Sequence, residues 1–266
     1  MGSEKDIIMV SSQIARLNVF GVNVSGVDFA MTVAEIDRWI RHGCRSYVTL
    51  LDVHSVMEAV HNQEVQRAHN RAGLVLPDGM PLVWLLRRGG FASADRVCGP
   101  DLLPAAFNHF QQAGYRHFLY GATPRTLELL KGNLTAKFPA AKVVGTHAPP
   151  FRPGGADEDE PVIGAINASA ADIVWVGLST PKQELWMARH RHRLLAPVLI
   201  GVGAAFDFHA GLLRRAPRWL QRTGMEWAFR TAMEPRRLAK RYLSNNPAFL
   251  ALLAGKTLGV SRTPRK

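Results

Sequence analysis

Cysteine is almost missing from this 266-residue sequence: only Cys44 and Cys98 occur, far apart and in no Cys-x-x-Cys pair. That argues against a disulfide framework or a cysteine-based zinc site and leaves buried or idle thiols as the expectation. No HExxH and no clustered His/Cys spacing appears either, so no structural metal is expected. Long apolar runs are lacking as well. None reaches the length of about 18 residues that a bilayer span needs, and the opening Met1-Gly2-Ser3-Glu4-Lys5-Asp6 does not have the basic-then-apolar form of a secretory signal. A cytoplasmic chain is expected. Internal repeats and low-complexity segments are also missing. With 47% hydrophobic residues there is ample material for a core, in one large α/β domain or one domain with an appendage.

Acidic residues are scarce in one region. Leu212 to Lys266 holds 13 Lys and Arg against Glu226 and Glu234, which is +11 of the formal +12 of the whole sequence. Such a block is either a solvated face or the mark of an anionic partner: nucleic acid, a phosphorylated ligand or a membrane surface. No nucleic-acid motif accompanies it, so a nucleic acid is not expected, while an anionic membrane surface or a phosphorylated ligand stays open. Within the block Trp227, Phe229, Met233, Leu238 and Tyr242 recur at roughly helical spacing among Arg230, Arg236, Arg237, Lys240 and Arg241. Pro235 is expected to break or kink this helix, and Asn246-Pro247 to end it before the short apolar segment Ala248 to Ala254. A basic amphipathic helix beside an apolar segment suits a membrane surface or a fold over a neighbouring domain.

Up to about Gly211 short β-branched runs alternate with helical stretches. Strands are expected at Tyr47 to Leu51, Leu74 to Leu76, His117 to Tyr120, Lys142 to Gly145, Ile173 to Val176 and Val198 to Val202. Helices are expected at Val53 to Arg71, Met80 to Arg88, Asp101 to Ala113, Pro124 to Lys137, Asp157 to Ser169 and Pro181 to Arg193. Strand and helix in strict turn predict an α/β fold: a Rossmann-like, mainly parallel sheet with helices on both faces. The expected division is 1–211 for this layer and 212–266 for a basic helical C-terminal appendage. Architecture of this kind does not decide function.

Three strand ends carry polar groups. Leu74-Val75-Leu76-Pro77-Asp78-Gly79-Met80-Pro81 is an apolar run that stops at a carboxylate in a tight turn, on the sheet edge where α/β folds bind ligands. On this segment alone, Asp78 is equally well read as a cap for the helix beginning near Met80. Ile173 to Glu184 and Val198 to Phe208 have the same form, each ending in a glycine-containing turn loaded with polar groups. Thr123-Pro124 after Tyr120-Gly121 combines an N-cap with proline at the first helical position. The free N–H groups there suit a diphosphate, with Gly121 letting the backbone approach, although capping alone accounts for the same residues. Asp207 and His209 lie amid aromatics at another strand end, in a structural or pocket-lining role.

Read in order, these segments closely resemble the WecG/TagA/CpsF glycosyltransferases, bacterial enzymes that add a sugar to a lipid-linked saccharide. The resemblance runs from about Val19 to about Phe249, through LPDGMP, Tyr120-Gly121-Ala122-Thr123-Pro124, VGTH, PKQE, GVGAAFDF, Arg215-Ala216-Pro217-Arg218-Trp219, Glu226-Trp227 and Glu234-Pro235-Arg236-Arg237. It implies inverting transfer of a hexose from a nucleotide sugar, with UDP the expected nucleotide, to an undecaprenyl-diphosphate-linked saccharide in cell-surface polysaccharide synthesis. The enzyme would sit on the inner face of the cytoplasmic membrane and use no cofactor.

The resemblance also carries residue roles. Asp78 matches the family aspartate of LPDG and would act as general base, a role typically worth a factor of about 10²–10⁴. Thr49 and Gln183 match a threonine and a glutamine of the pocket, whose hydroxyl and amide can read sugar hydroxyls. Arg230 and Arg237 match arginines of a C-terminal appendage that closes over the site, where a planar guanidinium would meet the leaving diphosphate in place of a metal. Lys240 falls where a third arginine occurs in the family. Leu51 departs from the pattern, since many members carry Asn two positions after the threonine, so the sugar of those members is not carried over. Asp157-Glu158-Asp159-Glu160 contains the DxD spelling of metal-dependent transferases. It stands where a helix begins, though, and acids there complement the macrodipole.

Two other readings remain. Gly201-Val202-Gly203 after a strand suggests an NAD-dependent oxidoreductase, but the third glycine position falls on Phe206 and the fingerprint normally opens the first βα unit. A non-enzymatic module binding nucleic acid or anionic lipid through the tail would not need polar strand ends such as Asp78 and Gln183. The hexose, the acceptor's terminal sugar and self-association are left open.

Overall fold

The computed structural model describes residues 14–149 and 159–257. The chain opens with an antiparallel hairpin of β1 (Arg16–Val19) and β2 (Val22–Ser25), followed by α1 (Phe29–Arg41). Next come β3 (Ser46–Leu51), α2 (Val53–His61), α3 (Gln63–Arg71), β4 (Leu74–Pro77), α4 (Met80–Arg88), α5 (Gly99–Phe110), β5 (Arg116–Gly121), α6 (Pro124–Lys137) and β6 (Lys142–His147). Then come α7 (Glu160–Ala168), β7 (Ile173–Gly177), α8 (Lys182–His190), β8 (Val198–Gly201) and α9 (Ala205–His209). Three helices finish the described chain: α10 (Arg218–Arg222), α11 (Glu226–Met233) and α12 (Pro235–Thr257).

Strands β3 to β8 form one parallel sheet in the order β4-β3-β8-β7-β5-β6, each within two residues of its expected position. The central strands are continuous apolar runs because both faces are covered. Tyr47, Leu51, Val75, Val174, Val176 and Leu199 feed one core, whereas Val48, Leu50, Leu74, Leu76, Trp175 and Ile200 feed the other. Parallel strands also bring every carboxyl end to one edge, and this edge positions the polar strand ends.

Four local features differ from expectation. The hairpin and α1 were not anticipated, although Leu17, Val19, Val22 and Val24 alternate with polar residues and Asp28 caps α1 by accepting the Met31 amide at 2.8 Å. The single helix expected over Val53 to Arg71 is two, because Asn62 is extended and its Oδ1 accepts the Glu64 and Val65 amides. Pro235 separates α11 from α12 as expected, but Asn246-Pro247 does not end the helix, which runs through to Thr257. Tyr242 and Phe249 are buried on either side of Pro247, and this packing outweighs an interior-proline cost of about 3 kcal/mol. Finally, the Asp159 carboxylate does not cap α7. It accepts from Trp186 Nε1 and His190 Nε2, each at 2.9 Å. Asp157 and Glu158, and Arg262, Arg265 and Lys266 of the basic block, lie outside the described residues.

Candidate active site

Asp78 follows β4 directly, and its amide donates to Leu51 O at 3.0 Å, so the sheet ladder holds its backbone. It does not cap α4, whose N-cap is Gly79 with no side-chain cap bond. The carboxylate instead lines a cavity of 540 Å³ at the sheet edge. Arg96 reaches it from the loop before α5: Nη2 lies 3.3 Å from Asp78 Oδ1, and Nε donates to the Asp78 carbonyl. The same guanidinium donates to Glu226 Oε2 at 2.6 Å, tying the β4 end to α11. Burial pushes the Asp78 carboxyl up to about 6 and outweighs the pull of Arg96, with Asp52 and Glu226 adding repulsion. This is the tuning that suits a proton acceptor near neutral pH.

Asp52, one strand away at the end of β3, lines the same cavity in the opposite state. Its burial is more than offset by Arg241, His54 and two hydrogen bonds from Ser55, which hold it at about 2. Oδ1 caps α2 through the Ser55 amide at 2.8 Å, and Oδ2 accepts from Arg241 Nη2 at 2.9 Å. Asp52 is thus held as an anion and Asp78 is the more basic of the two, the one better suited to accept a proton.

The other wall belongs to the C-terminal helices. Arg241 to Asp52, Asn245 Nδ2 to His54 Nδ1 at 2.7 Å, Glu226 to Arg96, and Arg215 to Asp101 fasten α11, α12 and the segment before α10 over the strand ends. Arg230 on α11 lines this cavity and a second one of 220 Å³ beside Phe208, Leu212 and Glu234. Its guanidinium lies over the Phe208 ring at 5.7 Å, and its buried Nε has no hydrogen-bond partner.

Thr49 and Gln183 are buried and line neither cavity. Thr49 is fully buried, with Oγ1 3.0 Å from His69 Nδ1, and burial lowers His69 to about 4, which keeps the imidazole neutral. Gln183, on the first turn of α8 after the cis Thr180–Pro181 peptide, accepts the Gly203 amide at 3.0 Å. Its Nε2 donates to Glu184 Oε1 at 2.9 Å, and Thr180 Oγ1 donates to the same oxygen at 3.0 Å. A Cβ at Gly201 would lie 3.2 Å from the Gln183 amide carbon, so a glycine there leaves the side chain its space.

Glu184 is fully buried, its Oε2 is unpartnered, and burial raises its carboxyl to about 7. The stability of its neutral form is complete below the ordinary value of 4.5 and is lost as pH rises through about 7. Glu184→Gln keeps an oxygen for Thr180 and Gln183 and removes the titration. The melting temperature of the variant relative to wild type is therefore expected to increase between pH 5 and pH 8, read by calorimetry. An unchanged difference would mean that Glu184 is not protonated in the fold.

Gly121, Arg237, Asp207 and His209 do not line the Asp78 cavity. Four strand spacings separate β4 from β5, roughly 19 Å, so Gly121 does not touch the Asp78 cavity. Gly121 has φ +122, and a Cβ there would lie 2.5 Å from the Gly177 carbonyl oxygen, so the neighbouring strand end already requires glycine. Thr123 caps α6 as expected, accepting the Thr126 amide at 3.1 Å. Asp207 is raised by burial, against the pull of Arg237 and a hydrogen bond from Thr126, which places Arg237 toward the α6 end. Arg237 itself is exposed and pairs with Glu234 at 2.7 Å. His209 is structural: its Nε2 donates to the Pro100 carbonyl at 2.7 Å.

The structure thus brings Asp78 and Arg230 to one cavity, buries Thr49 and Gln183 where they line neither cavity, and leaves Gly121 four strand spacings from β4 and Arg237 exposed beside Glu234. Arg96, Asp52, Arg241 and Glu184 were missed by sequence reasoning. Arg96 had a usable signal, a lone cation just before the Gly99-Pro100 helix start; the Asp52–Arg241 pair spans 189 positions and had none. Among the described residues no group of three or more His, Cys, Asp or Glu could hold a metal, and no helix is long and apolar enough to cross a membrane.

The profile of the family described as "Glycosyl transferase WecG/TagA/CpsF family" matches residues 17–263. A protein of Staphylococcus aureus (strain MW2) named N-acetylglucosaminyldiphosphoundecaprenol N-acetyl-beta-D-mannosaminyltransferase is 25% identical over 246 residues, covering 91% of this chain and 94% of its own. Proteins of the same name from Bacillus spizizenii (strain ATCC 23059 / NRRL B-14472 / W23) and Bacillus subtilis (strain 168) are 29% and 28% identical, over 68% and 70% of each chain.

Proposed function

The chain belongs to the WecG/TagA/CpsF family of glycosyltransferases, and from that membership we propose that it moves a hexose from a UDP-sugar to an undecaprenyl-diphosphate-linked saccharide, with inversion. The oxidoreductase and binding-module readings fall with the family match. The observation that carries the mechanism is the basic carboxylate of Asp78 in one cavity with the uncommitted cation Arg230. The acceptor hydroxyl gives its proton to Asp78 as its oxygen bonds to the anomeric carbon. The bond from that carbon to the diphosphate breaks, and the electron pair leaves with the nucleotide, whose charge Arg230 meets. Arg96 holds Asp78 in place from its backbone and side chain. Gln183 and Thr49 back the sugar pocket, while Gly121 and Arg237 serve the nucleotide end at α6. Residues 1–211 form the catalytic layer and 212–266 the appendage that completes it.

N-acetylmannosamine is the sugar in the relatives' names and the first donor to test. A different hexose is the second reading, favoured by Leu51: its side chain is wholly in the core, where many members have an amide. An anionic membrane surface as partner is supported by the exposed Arg214, Arg218, Arg236 and Lys240, interleaved with exposed Leu212, Trp219, Met233 and Leu243.

A screen of UDP-sugars against N-acetylglucosaminyl-diphosphate-lipid, reading UDP release and product mass, tests the reading. Release that requires both substrates and survives EDTA is expected, since arginine serves the leaving group. No product with any donor would overturn the reading, and loss on chelation restored by Mg²⁺ or Mn²⁺ would return the metal role to Asp157 and Asp159.

A further inference from the structure

The Asp78 cavity is larger than the chemistry at its polar end requires. From the sheet edge it continues as a trough between two helices, Met80, Pro81, Trp84 and Leu85 of α4 on one wall and Tyr242, Phe249, Leu250 and Leu253 of α12 on the other. Both walls lead away from the edge: α4 begins directly after Asp78, and α12 leaves the Arg241–Asp52 pair. Tyr242 to Leu253 covers 11 helical steps, roughly 16 Å at 1.5 Å per residue. The charged groups Asp52, Asp78, Arg96, Glu226 and Arg230 gather at the edge, His54, Gln221 and Thr223 also line the cavity, and the faces of α4 and α12 are apolar except for Arg88, Asn246 and the Tyr242 hydroxyl. Trp84 is 49% exposed and Leu250 62% exposed, so apolar side chains stand open to solvent along it.

We propose that this trough takes the isoprenoid chain of the lipid-diphosphate acceptor, in the segment adjoining the diphosphate. The inference rests on the transferase reading for the class of acceptor and adds where its lipid goes. A nucleoside or a saccharide would leave its hydroxyls and ring nitrogens unpaired against Trp84, Leu85, Phe249 and Leu253, a cost that a hydrocarbon does not meet. A chain carrying a diphosphate at one end matches the gradient instead, apolar between α4 and α12 and polar at the sheet edge, where Arg96 and Arg230 both line the cavity. Lipid seated there also fixes the direction of the acceptor, with its saccharide turned toward Asp78. The apolar segment Ala248 to Ala254 thereby acquires a purpose distinct from general attachment to a membrane.

Binding can be measured without donor or turnover, by calorimetric titration of the full chain with farnesyl diphosphate and with isopentenyl diphosphate. Farnesyl diphosphate is expected to bind at least tenfold tighter. Leu250→Glu, at an exposed position, should abolish that difference and leave isopentenyl diphosphate unchanged, and Trp84→Ala should reduce it independently. Equal affinities in wild type, a preference that persists in both variants, or displacement of farnesyl diphosphate by uridine would overturn the assignment, the last by giving the trough to the nucleotide. A chain-length preference without sugar transfer would instead fault the transferase reading alone.

Discussion

Asp78→Asn is expected to lower turnover by about two orders of magnitude or more while leaving the melting temperature equal to or above that of wild type. The two effects share one cause. Burial at the end of β4 raises the carboxyl from 3.8 to about 6, so the folded protein favours its neutral form. Stability from that neutral form is complete below 3.8 and lost as pH rises through about 6, so at pH 7.5 wild type bears the cost of the ionised group and the amide variant does not. Proton abstraction needs the ionised form. The kcat/KM of wild type should therefore rise tenfold per pH unit below about 6 and level off above it. Arg96 still has Glu226 as an anionic partner at 2.6 Å in the variant, which limits damage to the fold. UDP release between pH 5 and 8, with calorimetry on both proteins, checks the pair of expectations. A folded variant with near-normal turnover would remove Asp78 from the mechanism, and a wild-type profile flat across pH 6 would mean that its ionisation does not limit the reaction.

The sheet was legible because β3, β4, β7 and β8 are short apolar runs separated by helical periodicity, a local signal that both-sided burial imposes. Pro247 was misread for the complementary reason. An interior proline is a strong local breaker, and the burial of Tyr242 and Phe249 that overrides it comes from parts of the chain far away in sequence. The site divides along the same line. Asp78 was visible because its position depends on one strand and one turn. What makes it basic was not, since burial beneath α11 and α12 and the repulsion from Asp52 and Glu226 arise only when parts of the chain far apart in sequence meet. Glu184 shows the converse case. PKQE drew attention to Gln183, yet the neighbouring glutamate is the side chain that orients the amide, and nothing local distinguishes a buried carboxyl from an exposed one at the start of a helix.

Arg230→Ala is expected to reduce kcat about a hundredfold, in the range found for removing a group aimed at transition-state charge, while Arg237→Ala costs less than tenfold and acts mainly on the KM of the donor. The arginines around the edge differ in how far their charge is already satisfied. Arg96 is shared between Asp78 and Glu226, Arg241 is held by Asp52, Arg215 by Asp101, and Arg237 by Glu234. Among the described residues no ion pair joins Arg230 to a carboxylate, and its buried Nε lacks a partner, which is unfavourable unless an incoming anion supplies the missing acceptor. A nucleotide leaving with its electron pair develops charge late, so a cation with free hydrogen-bonding capacity stabilises the transition state more than the bound donor and acts on kcat. Arg230→Lys should recover part of the loss, since it keeps the charge but not the planar fork. The Phe208 contact at 5.7 Å contributes about 2 kcal/mol, the value for a desolvated pair, so Arg230→Ala should remain folded. Steady-state kinetics of the three variants with varied donor, alongside their melting temperatures, decide the matter. An Arg230→Ala enzyme within threefold of wild type, or an Arg237→Ala enzyme equally impaired in kcat, would take the leaving group away from Arg230.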